Sequence, residues 1–303
     1  MEELKMNLVG QAAIGYGFCV QILENGKASH WGSGEYGQGK VSKWKNLVSL
    51  SAGYAHVLGL DKNGKAYATG FDPDGRCKMG GWTELVQVCA GWTHSLGLKK
   101  DGTVLAKGHP MDGQCKVQDW RNIVQLCAGS NYSLGLQRDG FVVATGADYD
   151  GQCAVGLWEN VISLHSGGFH TLGLCADGRV LATGLNEDGQ CNVAHWENIL
   201  SLCAGRNFTL GLRTDGTVLA AGSTADDRCR VEHWQDITMI ACGQDHSVGL
   251  RSDGTVLAQG YNEDGRCNVS HWKDIVAIYA AFDHTAGLRS DGTLLIAGPC
   301  PIE

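Results

Sequence analysis

Proline is close to absent from this chain, at 4 of 303 residues, and so are long apolar runs, a basic excess and any sustained helical period. Set against 44 Gly, that scarcity excludes a Pro-rich or disordered segment and fits a packed domain with many tight turns. No stretch approaches the roughly 18 apolar residues of a membrane span. The N-terminal MEELKMNLVGQAAIGYG has acids where a secretory signal needs a basic region. A cytoplasmic protein with no membrane partner is expected. The formal charge of -8 removes the sequence-independent attraction to phosphate backbones, so no nucleic acid is expected as partner.

Chemistry-bearing motifs are also missing. There is no CxxC or HxxxH pair for a metal, no GxSxG elbow, no complete calcium loop, and no nucleophile beside a base and orienter. The reading is therefore a protein that is not an enzyme and has no cofactor. The segment Gly32, Ser33, Gly34, Glu35, Tyr36, Gly37 matches GxGxxG, but a strand follows it rather than the helix that dinucleotide binding requires. The loops DPDG, DYDG and NEDG are explained by Asp-Gly turn chemistry. Thirteen Cys is an odd number in a long chain, and free packing thiols are expected.

What is present is one unit repeated at a fixed step. Gly26, Gly64, Gly102, Gly140, Gly178, Gly216, Gly254 and Gly292 are each 38 residues apart, as are Trp44, Trp82, Trp120, Trp158, Trp196, Trp234 and Trp272. Cys77, Cys115, Cys153, Cys191, Cys229 and Cys267 form a third column. In the unit from Trp82, the runs LVQVCAG, HSLGL, TVLAKG and QCKV read as four short β-strands closed by Gly and Asp-Gly turns. Such a unit cannot bury both faces alone, and radial stacking is the stable solution. The expected fold is all-β: a propeller of four-stranded antiparallel blades, a single domain over 1–303. Eight blades follow from the count, with seven plus an extra module as the alternative, and the N-terminal segment MEELKM is expected to close the ring. Gly59, Gly97, Gly135 and their equivalents, inside strands, imply close packing between blades. His56, His94, His170, His246 and His284 share a column with Phe18, Tyr132 and Phe208, so a packed or hydrogen-bonded ring is expected there, not a metal ligand.

The phrases AGWTHSLGLKKDGTVLAKG, SGGFHTLGLCADGRVLATGLNEDGQC and CGQDHSVGLRSDGTVLAQGYNEDGRC resemble the repeats of the regulator of chromosome condensation family. The likeness covers nearly the whole chain and lies in AGxxHxLGL, DGTV and xGxNxxGQ. The unit length looks closer to the compact bacterial version, as in the second β-lactamase-inhibitory protein. The resemblance implies a propeller that binds other macromolecules. The eukaryotic regulator's guanine-nucleotide exchange uses a wedge inserted in its propeller, and the unbroken period leaves no room for one, so exchange is not expected.

Parity of the strands puts first and third turns on one face. First-turn tips vary between copies: Tyr16, Tyr54, Trp92, Ser130, Gly168, Arg206, Gln244 and Phe282 in one column, Gly17, Ala55, Thr93, Asn131, Phe169, Asn207, Asp245 and Asp283 in the next. Tyr, Trp and Arg are interface anchors. Tyr16, Tyr54, Trp92, Asn131, Phe169, Arg206, Asp245, Phe282 and Asp283 are therefore the candidate partner-binding residues of a monomeric scaffold. Third-turn acids such as Glu35, Asp72, Asp112 and Glu187 would steer a protein partner with a basic surface. The alternative is a lectin-like glycan binder with one repeated aromatic pocket per blade.

Overall fold

The computed structural model describes residues 12–299. Each repeat forms one antiparallel sheet of three strands, and eight such sheets are present among the described residues. In the unit from Trp82 the strands are Leu85–Ala90, His94–Lys99 and Val104–Gly108, paired in that order. Asp101 shapes the turn between the second and third strands, its Oδ1 accepting from Thr103 N at 2.9 Å and Thr103 Oγ1 at 2.6 Å, while Gly102 adopts φ +79°. A positive φ here strains any residue with a Cβ, which is why Gly recurs at this step.

Residue choice follows burial. The second strand is central and buried on both faces, so it reads as an apolar run, whereas the first and third are partly buried edges. Between Leu85, opposite Lys99, and Gln87, opposite Leu98, the register slips by one residue. This bulge turns Val86 out to solvent. The preceding Glu84 holds φ +60°, and Asn46, Asn122, Asn160, Asn198, Asp236 and Asp274 do likewise at φ 55–60°. Asn and Asp tolerate that left-handed conformation better than other residues with a side chain.

Two expectations about architecture are corrected. The run expected as a fourth strand is not one: Lys116 N donates to Gly113 O, Val117 N to Cys115 O and Trp120 N to Val117 O, at 2.9–3.0 Å. The amides of Lys116 and Val117 are satisfied by local turns and not by a ladder. Nor does any sheet among the described residues close into a barrel or propeller, since all eight remain separate. The N-terminal closing segment MEELKM lies outside the described residues.

The chain falls into two compact units, one reaching Ala147 and the other spanning Asp148–Pro299. Within the first, Leu96, Leu98 and Val104 pack with Val117 of their own repeat and with Trp120, Ile123 and Leu126 of the next. In the second, Leu172, Leu174 and Val180 do the same with Val193, Trp196, Ile199 and Leu202. Each core thus forms between successive sheets, with the Trp of the link as its largest member.

The Trp column explains the interior Gly column. A Cβ on Gly249 would stand 2.7 Å from Cε3 and Cζ3 of Trp234. The close neighbour is an indole face of the same repeat, not the backbone of another sheet. Gly249→Ala is expected to lower stability by about 1–3 kcal/mol through overpacking. Urea unfolding would show it, and adding Trp234→Leu should recover part of the loss. An unchanged midpoint for the single variant would contradict this packing.

Candidate interaction face

The first-turn tips of successive sheets are tied together by their backbones. Tyr16 N donates to Tyr54 O at 2.9 Å and Trp92 N to Ser130 O at 3.2 Å in the first unit. In the second, Arg206 N donates to Gln244 O at 3.0 Å and Gln244 N to Phe282 O at 2.9 Å. Their spacing is therefore set by main-chain bonds, and only the side chains vary.

In the first unit the aromatic tips touch. Tyr16 and Tyr54 stack with ring centroids 4.9 Å apart at 8°, and Tyr54 meets Trp92 at 6.1 Å. Tyr16 and Tyr54 remain 49% and 41% exposed, which leaves ring edges for a partner. Beside them on the third turns, Tyr36 and Phe71 form an edge-to-face pair at 5.0 Å, both exposed.

The other sequence candidates sit differently. Asn131 is half-buried and accepts from Thr93 Oγ1 at 2.7 Å. Phe169 is half-buried, and Arg206 is exposed. Asp245 is ion-paired to Arg228 at 2.6 Å. In the second unit Phe169 and Phe282 are separated along the tips by Arg206 and Gln244.

Arg76, Arg228 and Arg266, which sequence reasoning did not single out, hold third turns against first turns. Arg76 Nη1 donates to Trp92 O at 3.1 Å, and Arg228 Nη1 to Asn207 Oδ1 at 2.9 Å. Each also pairs with an acid of its own turn, Asp74, Asp226 or Asp264. Burial acts to raise the Asp264 pKa, but the hydrogen bonds and charge of Arg266 outweigh it and hold it below the ordinary value. Sequence carried a signal: Gln38, Arg76, Gln114, Gln152, Gln190, Arg228 and Arg266 share one column, all of them buried. A buried column alternating between Gln and Arg marks side chains that donate hydrogen bonds.

Behind the tips lies a polar network. His94 Nε2 meets Ser133 Oγ at 2.9 Å, and that hydroxyl donates to Gln114 O at 2.8 Å. His170 with Thr209, whose hydroxyl donates to Gln190 O, and His246 with Thr285, whose hydroxyl donates to Arg266 O, repeat the arrangement. A hydroxyl has one proton, so each of these must accept from His, which fixes Nε2 as the protonated nitrogen. The His column is thus hydrogen-bonded core. The Gly three residues before each ring makes room, since a Cβ on Gly91 would lie 2.2 Å from His94 Cε1. Ala281 occupies that position in the last sheet, and there the first strand runs on to Ala281. His284 instead places Nδ1 2.7 Å from Asp283 Oδ1 and Nε2 3.1 Å from Pro299 O. This draws Asp283 inward and leaves Phe282 at φ +48°, unusual for a bulky side chain.

The third-turn Cys close their loops. Cys77 N donates to Asp72 Oδ1 at 2.9 Å, Cys153 N to Asp148 Oδ1 at 2.7 Å and Cys191 N to Asn186 Oδ1 at 2.8 Å, so these oxygens serve the turn. Burial pushes the thiols of Cys77 and Cys115 up to about 12 and about 11, so neither is a thiolate at neutral pH. One expectation fails: Cys203 and Cys242 form a disulfide, with Cα atoms 5.8 Å apart. Cys19, Cys77, Cys89, Cys115, Cys175, Cys191, Cys229 and Cys267 are free thiols.

Comparison with known proteins agrees with these repeats. The model of the Regulator of chromosome condensation (RCC1) repeat matches residues 85–114, 161–190 and 237–266. No curated protein matches the chain in sequence. The ectodomain of the receptor kinase CR4 from Physcomitrella patens is similar in structure, with TM-score 0.65 and 20% identity, over 83% of this chain and 73% of that one. The CRINKLY WD40 ectodomain of Arabidopsis thaliana ACR4 gives 0.63 and 18%, over 96% and 97%. Prp20p from Saccharomyces cerevisiae, described with its binding to Gsp1p and histones, gives 0.64 and 17%, over 100% and 95%.

The expected cytoplasmic and bacterial character is overturned by these likenesses. The fold is that of receptor ectodomains and of a yeast protein, and nothing supports the compact bacterial type. The grounds for the cytoplasmic reading were the acids near the N-terminus and the lack of a membrane-length apolar run. Three stretches match the family's model directly, and the same 38-residue step runs through the rest of the chain.

Proposed function

We propose that the chain is a non-catalytic protein-binding module whose partner docks on the first-turn tips of the first unit, Tyr16, Tyr54 and Trp92. The observation that supports it is the run of contacting rings across three successive sheets, half-exposed and spaced by backbone bonds. Rigid aromatics supply contact area at little entropy cost, and exposed clustered rings are otherwise a solubility burden. Proteins with this fold include Prp20p, described with its binding to Gsp1p and histones, and the reading extends protein recognition to this chain. The repeated Trp that a lectin reading needs are all buried, which leaves the glycan alternative without its pocket.

A basic partner is the finer reading. Asp74, Asp226 and Asp264 are already held by Arg, so steering falls to exposed acids such as Glu35 and Glu187. The double variant Tyr54→Ala, Trp92→Ala is expected to weaken partner capture at least about a hundredfold, as loss of two anchors does. Its melting temperature should stay within a few degrees, since neither ring is core. Undiminished capture by the folded variant would sink the proposal. For a basic partner, the association rate should also fall with added salt.

A further inference from the structure

Thr69, Thr145 and Thr183 occupy one column at the end of the third strand and each closes onto the third turn of the preceding repeat. Their hydroxyls donate to Gly37 O at 2.7 Å, Gly113 O at 3.1 Å and Gly151 O at 2.9 Å. Lys107 stands in the same column, where the corresponding carbonyl would be that of Gly75. An ammonium on a four-carbon stem cannot reproduce the short hydroxyl clasp. At this place an open surface depression of about 350 Å³ is lined by Asp74, Gly75, Lys78, Lys107, Gly108 and Cys115.

The charge in this depression is not cancelled. Asp74 is taken by Arg76, whose hydrogen bonds and charge outweigh the effect of burial and hold the Asp74 pKa below its ordinary value. Cys115 stays a neutral thiol because burial raises its pKa. Among the described residues neither Lys78 nor Lys107 forms an ion pair. Two lysines with no ion pair among the described residues therefore line one open depression on a chain whose overall charge is -8. Two neighbouring cations on one patch of surface favour a compact dianion in spite of the negative whole.

We propose that Lys78 and Lys107 form a binding site for a phosphate group, free or carried as a phosphomonoester. The site is separate from the aromatic tips and does not depend on the proposal made for them. Calorimetric titration of the full chain with inorganic phosphate in one arm and O-phosphoserine in the other tests it. Saturable binding is expected, weakening as salt is added. Phosphate alone would identify a free-anion site, phosphoserine alone a modified-residue site, and both a site for the shared group. Lys78→Gln and Lys107→Gln should each weaken binding about tenfold, the usual loss for one charge-assisted contact. Lys107→Thr restores the residue found in the neighbouring repeats, so it should abolish binding while the melting temperature holds or rises. No saturable heat in either arm, or wild-type affinity in Lys78→Gln and Lys107→Thr, would overturn the assignment.

Discussion

Acidification is expected to unfold this protein cooperatively between about pH 5.5 and 4, well above the pH at which carboxylate titration alone would do so. Burial lowers the pKa of His56, His94 and His246 to about 3 and that of His170 to about 4. In the unfolded chain these groups titrate near 6.5. Below that value the unfolded state binds more protons, so stability is full above about pH 6.5 and falls continuously towards the folded-state values. Each group loses about 1.4 kcal/mol per pH unit. At pH 5 four histidines together cost about 8 kcal/mol, comparable to a whole domain's stability. The geometry gives the same sign: Nδ1 of His56, His94 and His246 has no hydrogen-bond partner among the described residues, so a proton placed there would be buried without an acceptor. Circular dichroism against pH measures the effect, and a signal unchanged down to pH 4 would contradict it. The chain holds its own control in Phe18, which packs with Val57 where other repeats set His against Ser or Thr. His94→Phe with Ser133→Val should move the acid midpoint down.

The His network shows what could be read in advance and what could not. The repeat, its antiparallel hairpins and the variable turn tips are local properties, visible because Gly, Asp-Gly and Trp recur every 38 residues. A packed or hydrogen-bonded ring at the His column was legible for the same reason. Its acceptor was not, because it lies 39 residues on, in the next sheet, and the one-residue offset hides it from comparison down a column. The fourth strand was misread because QCKV has strand-like composition, while its amides are turned back on local carbonyls and on Asp72-type side chains. The concentration of contacting rings in one unit was likewise invisible, since the columns rank Tyr16 and Phe282 alike and contain no information about which tips touch.

The same offset accounts for the disulfide and leads to the second large effect. Residues 39 apart on the first strands are neighbours: Ala90 N donates to Ser51 Oγ at 2.9 Å, and Leu126 N to Gln87 Oε1 at 2.8 Å. Cys203 and Cys242 are 39 apart and are bridged, whereas Cys89 has Ala128 at that distance. Closing a loop of about 40 residues removes unfolded-state entropy worth about 4 kcal/mol. Reduction, or the double change Cys203→Ala, Cys242→Ala, is therefore expected to lower the urea midpoint substantially at neutral pH. A midpoint that reduction leaves in place would show that the bridge does not stabilise the second unit. The reciprocal experiment adds a bridge. Ala128→Cys puts a thiol beside Cys89 in the first unit and should form a disulfide on oxidation, detected as the loss of two titratable thiols and a raised midpoint. If Cys89 stays free in that variant, the rule that position n faces position n+39 across neighbouring sheets does not extend to this pair of strands.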